Sequence, residues 1–278
     1  MITFIAKPIF FKRDINGGFY PARLSSRTRG EEIADYLGAY YTIDGTYDQG
    51  GVRIHLKPHT LRRVKDGDYV DILDDAHNLI PRLKQRPKIK VIAYSQPYYD
   101  FLKQELANQV VLIPHPHINF ENDTRTKSKT IVGGMTGKAT HTSYQIFNPI
   151  KQALAKVGIK FKDWFNHTTR QDALNFYDQI DFQVVWYHDP PDVYSRLYRY
   201  PGKIINAASY GIPTIAQPIP GHQEMEGYYI PAATYEDIVR EALKLQDEDY
   251  YHQWSKKLIR KAKEYHISQV AKLYRKLI

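Results

Sequence analysis

Short apolar runs alternate along the chain with stretches whose apolar positions recur at helical spacing. ITFIAKPIFF is followed by the amphipathic EEIADYLGAYY, then DYVDIL, then KVIAYS with YYDFLKQEL behind it, then VVLIPHP. Strands that alternate with helices over short connections predict parallel strands with crossover helices. Glu121 to Lys129 (ENDTRTKSK) is polar throughout and lacks any apolar period, as a connection between domains does. The alternation then restarts. TIVGGM reads as a strand entering a glycine turn, SYQIFNPIKQALAKVG as a helix, IKFKDWF as a strand, DALNFYDQ as a helix and IDFQVVWY as a strand. KIINAASYG is a helix closed by Gly211, PTIAQP a further strand, and ATYEDIVREALKLQ a helix with Thr234 as cap and Asp237 completing the box. The expected organisation is an α/β protein in two halves, 1–122 and 130–278, joined by a linker at 123–129.

At 278 residues the chain has room for two ordinary domains. Its 23 Tyr and 11 Phe supply core material and argue against disorder. No stretch approaches the roughly 20 apolar residues that span a bilayer. Met1 to Phe11 contains Lys7 and Pro8 and reads as a buried strand rather than a secretory leader, so the expected location is cytoplasmic. The net charge of +9 changes the picture because it is concentrated. From Tyr251 onward Lys256, Lys257, Arg260, Lys261, Lys263, Lys272, Arg275 and Lys276 face the single acid Glu264. In HQWSKKLIRKAKEYH, Trp254, Leu258, Ala262 and Tyr265 share one helical stripe with the basic residues opposite. Such a face is either a solvated surface or a contact for an anionic acceptor or a membrane surface.

From Tyr200, the segment YPGKIINAASYGIPTIAQPIPGHQEM resembles the donor-binding segment of GT-B glycosyltransferases, above all those of the family 4 and family 1 group. A proline-rich loop with Pro201 and Lys203 leads into a helix, Gly211 ends it, Ile212-Pro213 opens a buried strand, and Gly221 and Glu224 follow in a glycine-containing loop. VVLIPHPHINF is similar to the last strand of such an enzyme's first domain, and IVGGMTG to the first strand of its second. The resemblance implies two Rossmann-like domains facing each other across a cleft, with a nucleotide-sugar donor, a uridine diphosphate sugar by default, held by the second. By that implication Lys203, Asn206, Arg196, Arg199 and Glu224 bind the donor, with the glycine turn at Gly133 and Gly134 nearby. A helix amino terminus carrying a lysine suits a departing diphosphate, and arginines suit its oxygens. Retaining members place two glutamates where this chain has Tyr198 and Asn206, so the stereochemical course is not carried over.

An inverting reaction needs a base near a strand's carboxyl end in the first half. Asp74 and His77 follow DYVDIL and are the candidates, with helix capping and simple exposure as their alternatives. Arg27 and Arg29 begin a helix after Gly17-Gly18 and are candidates for an anionic acceptor, as are His115 and His117, which lie two apart after a strand. GGMTGKA departs from the phosphate-binding Walker spacing, and Ala139 stands where magnesium needs Ser or Thr. The Asp-x-Asp triplets at Asp66 and Asp247 sit beside a turn and a helix end, so no bound cofactor and no metal requirement is expected. The function expected is transfer of a sugar to a hydroxyl of a glycan, a lipid-linked sugar or a hydroxymethylated base in DNA. The alternative is a nucleotide-sugar or nucleic-acid binding protein without catalysis.

Overall fold

The structure is a computed structural model that describes every residue except 7–10, 14–18, 22–26, 44–49, 59, 73–77, 138–139, 166–168 and 188–198. Among the described residues of the first half, β1 (Ile2–Ala6), β4 (Tyr40–Ile43), β5 (Val52–Leu56), β6 (Tyr69–Asp71), β7 (Lys90–Ala93) and β8 (Val110–Leu112) form a parallel sheet in the order β4-β1-β5-β6-β7-β8. β2 (Phe11–Arg13) and β3 (Phe19–Pro21) pair with each other, antiparallel. The inner strands are buried on both faces, which is why they read as continuous apolar runs: Phe4, Ile54, Val70, Val91 and Ile92 are all inaccessible.

Two strands, β4 and β5, do not stand out as apolar runs. In β5 (VRIHL), Arg53 and His55 interrupt the pattern, and both are absorbed by Asp68, which accepts from Arg53 Nε at 2.8 Å and lies 2.9 Å from His55 Nε2. The Lys65 N–H donates to the same carboxylate. The helices around this sheet are α1 (Glu32–Leu37), ended by Gly38 at φ +62°, α2 (Ile80–Lys84), and α3 (Gln96–Glu105), whose Ser95 cap accepts from the Tyr98 N–H.

The second sheet is also parallel, in the order β10-β9-β11-β12-β13: β9 (Val132–Thr136), β10 (Lys160–Trp164), β11 (Phe182–Val185), β12 (Thr214–Ala216) and β13 (Ile230–Pro231). Pro231 is tolerated because β13 lies at the edge. Around it lie α4 (His141–Ala155), α5 (Arg170–Tyr177), α6 (Gly202–Ser209), α7 (Tyr235–Lys244) and α8 (Glu248–Ala262). Thr169 with Asp172 and Thr234 with Asp237 form complete capping boxes, and Thr140 and Asp247 cap α4 and α8. Gly211, at φ +73°, turns the chain after α6; a Cβ there would meet Ser255 Oγ at 2.3 Å, so glycine is needed for close packing as well as for the turn.

By internal contacts the chain divides into two units: Met1–Pro116 with Leu197–Tyr200 and Ile267–Ile278, and His117–Arg196 with Pro201–His266. The polar stretch that the sequence pattern marks as a linker is tied to the second unit. Asn119 accepts from the Asp123 N–H, Arg125 donates from its backbone to Tyr210 O and from Nε to Ile180 O, and Asp181 accepts from the N–H groups of Ser128 and Val132. The closing helix, α9 (Ile267–Arg275), belongs to the first unit.

The first unit has a charged brace at its centre. Arg29, completely buried in the turn before α1, donates from Nε to Asp71 at 2.6 Å and from NH1 to Ile113 O at 3.0 Å, joining that turn to the ends of β6 and β8. Burial disfavours the guanidinium charge, but the Asp71 charge and hydrogen bond, together with Tyr274 and Tyr200, outweigh it and raise the Arg29 pKa. Removing one partner strands the other charge out of water. Arg29→Ala is expected to cost about 3–5 kcal/mol in denaturant unfolding, whereas an apolar replacement of both partners recovers much of that loss.

Candidate functional site

In the second unit, β10 lies on one side of β9 and β11 on the other, so the strand order reverses between β9 and β11. Crossovers there leave in opposite directions and open a crevice at the carboxyl ends of the two strands. The residues that follow those ends, Gly137 after β9 and Tyr187 after β11, meet Lys203 from the first turn of α6. Its ammonium lies 5.5 Å from the centroid of the Tyr187 ring. A Cβ built on Gly137 would sit in ordinary contact, 3.5 Å from Lys203 Nζ and 3.7 Å from the Phe165 ring, which places this residue at the wall of the crevice.

A chain of hydrogen bonds fixes the crevice. Gln183, buried within the otherwise apolar β11, accepts from the Tyr177 hydroxyl at 3.1 Å and donates to Lys203 O at 3.0 Å, tying the start of α6 to the strand. The Tyr187 N–H donates to the Gln217 side chain at 3.0 Å, and Gln217 O pairs with His222 Nδ1 at 3.0 Å. Because a carbonyl only accepts, the His222 proton sits on Nδ1. The His222 ring lies 6.0 Å from Tyr187 and 5.7 Å from Tyr229, in the 3-10 turn Pro220–Met225 that also carries Glu224. Lysine charge, the amino-terminal dipole of α6 and aromatic walls together make a place suited to an anion with a planar attachment.

The residues singled out in the sequence fall in different places. Lys203 lines this crevice, and Glu224 lies half-buried in the turn beside His222. Gly133 and Gly134 lie inside β9 rather than in a turn. A Cβ at Gly133 would meet Phe182 at 2.4 Å, and one at Gly134 would meet Ile180 at 2.6 Å, so both serve packing within the strand. The Asn206 side chain accepts from the Ile118 N–H at 3.1 Å, which gives it a structural task. Arg199 belongs to the short 197–200 stretch of the first unit, and Arg196, Asp74 and His77 lie outside the described residues. Arg27 is half-buried in the turn before α1, while Arg29 is committed to the Asp71 pair described above.

His115 belongs to the first unit and His117 to the second. The His115 ring packs on Tyr200 at 4.9 Å, and its carbonyl accepts from the Tyr200 hydroxyl; burial, then Arg29 and Lys57, hold its pKa well below the usual range. The His117 N–H donates to Tyr265 O, its ring lies 5.4 Å from that of His266, and burial followed by the His266 charge pushes its pKa down to about 3. Among the described residues no group of three or more His, Asp and Glu is placed to hold a metal. Gln183, Tyr187, Gln217 and His222 do not stand out in the sequence, although a lone glutamine in an apolar strand is a signal of a buried polar task.

Two outcomes are expected. Gly133→Ala should destabilise by about 1–3 kcal/mol in denaturant unfolding, since the added methyl must displace an aromatic ring. His117 has a lowered folded pKa, so below the unfolded value of 6.5 the unfolded chain takes up a proton that the folded chain refuses, down to about pH 3. Stability should therefore fall as pH drops through that window, and His117→Gln should make the fall measurably shallower.

No protein-family model and no curated protein matches this chain. Solved structures do match. A glycosyltransferase from Rickettsia africae ESF-5 aligns with a TM-score of 0.63 at 10% identity, over 99% of this chain and 97% of that one. AviGT4, a glycosyltransferase involved in avilamycin A biosynthesis, aligns at 0.60 and 10%, over 99% and 96%. A mutant of S. aureus TarM in complex with fondaparinux, alpha-GlcNAc-glycerol and UDP aligns at 0.57 and 12%, over 81% of this chain and 55% of that one, so the chain spans little more than half of TarM's length. At such identities the likeness is one of fold: this chain has the GT-B fold of glycosyltransferases, two parallel α/β sheets in succession.

Proposed function

We propose that the chain is a glycosyltransferase that moves a sugar from a nucleoside diphosphate donor, uridine-linked by preference, to a hydroxyl acceptor. The observation that carries this is the position of Lys203: first turn of α6, beside Gly137 and the Tyr187 ring, at the strand-order reversal of a GT-B second unit. The diphosphate is held by Lys203 and the amino terminus of α6, with Glu224 on the neighbouring turn and Arg196 and Arg199 as further donor ligands. As the acceptor oxygen bonds to the anomeric carbon, the bond from that carbon to the diphosphate oxygen breaks. The charge left on the diphosphate is stabilised by the lysine and the helix dipole. In an inverting course the acceptor proton passes to Asp74 or His77. UDP in the TarM complex supports a uridine donor. The acceptor is a glycan or lipid-linked sugar, with a hydroxymethylated DNA base as the other class, and action in the cytoplasm fits either.

Thermal shift with UDP tests the donor site. A ligand at about 100 times its Kd should stabilise the protein by about 2.7 kcal/mol. Lys203→Ala should weaken UDP binding by about ten- to a hundredfold, the worth of a charge-assisted hydrogen bond, with the melting temperature of the free protein unchanged. Unchanged UDP affinity in that variant overturns the reading. Tight UDP binding with no turnover of the sugar donor under any acceptor would instead assign a binding protein on the same scaffold.

A further inference from the structure

α8 is amphipathic in an unusual way. Tyr251, Leu258 and Ala262 are buried, while Gln253, Lys256, Lys257, Arg260 and Lys261, spaced by three and four, line a cavity of about 510 Å³ together with Glu264 in the next turn and Tyr228 as its opposite wall. That volume lies within the range of small-ligand sites. Four cations share it with one carboxylate. Glu264 is engaged by Lys261 at 2.6 Å, and among the described residues Lys256, Lys257 and Arg260 have no carboxylate partner.

Aromatic rings hold the lysines in place. Lys257 Nζ lies 5.2 Å from the Tyr228 ring centroid and 5.0 Å from that of Trp254, and Lys261 Nζ lies 5.4 Å from Tyr228 and 5.7 Å from Tyr265. A ring face steadies an ammonium without neutralising it, unlike a carboxylate. Lys257 is thus oriented and still charged, with Lys256 and Arg260 lining the same space, and an anion among the three would relieve their mutual repulsion. A merely solvated basic face spreads its side chains into water; this one folds them around a concavity.

We propose that this groove binds a compact soluble ligand carrying two or more phosphate groups, at a site that shares no residue with the crevice at Lys203. A membrane surface fits less well. The large apolar side chains exposed among the described residues are Met1, Tyr36, Tyr40, Tyr144, Val157, Leu243 and Ile278, and none lines the groove, so nothing there would insert among lipids.

The test is calorimetric titration of inorganic tripolyphosphate into Lys203→Ala protein, in which phosphate binding at the start of α6 is weakened, so that the groove is read by the further loss when its own cations are removed and the result does not depend on the nucleotide reading. Binding is expected. Adding Lys257→Gln and Arg260→Gln should weaken it at least about tenfold, the loss expected for two charge-assisted contacts, with the melting temperature unchanged because both side chains are exposed. Undiminished binding in the triple variant overturns the site. No tripolyphosphate binding also overturns it, and co-sedimentation with phosphatidylserine vesicles that depends on Lys257 and Arg260 would then assign a membrane surface in place of a soluble ligand.

Discussion

Parallel strands cannot be joined by a tight turn; a crossover must first carry the chain back across the sheet. That constraint governs both halves of this protein. All strand carboxyl ends of one sheet emerge at one edge, and the loops that follow them gather there. Where the strand order reverses, neighbouring loops part and leave room. In the second unit the parting falls between β9 and β11, and the first turn of α6 delivers Lys203 to it. The chemistry proposed for the chain follows from topology first and from side chains second.

Much of this was legible in the sequence, and the reasons differ by element. Strands buried on both faces, such as those at Val91 and Phe182, read as apolar runs because nothing polar can be placed there cheaply. The capping box at Thr234 was legible because its chemistry is local. The join between the halves was less so. ENDTRTKSK has the composition of a free connection, yet Asp181, a residue far away in sequence, accepts from its Ser128 N–H and from the Val132 N–H just beyond it. β5 escaped because Arg53 and His55 break its pattern, and their partner Asp68 is visible only once the sheet is assembled.

Site residues divide along the same line. The helix start at Lys203 was readable because the Pro201-Gly202 entry is a local feature. Arg29 was not: a charged residue at a helix start invites a solvent-facing role, and only the third dimension reveals Asp71 and Ile113 O around it. Gly133 and Gly134 suggested a turn, whereas the rings of Phe161, Phe176 and Phe182 press so closely on β9 that glycine is demanded by what lies outside the strand.

The division of the chain also bears on how it is made. The first unit takes in residues 267–278, where α9 packs against α1 and the buried Tyr274 ring meets Phe4 edge-on at 5.3 Å. These residues leave the ribosome only after the whole second unit. A nascent chain usually completes its amino-terminal domain first. Here the order is inverted: the half that begins first is completed after the other, and until residues 267–278 have been made Phe4 lacks the Tyr274 ring that covers it.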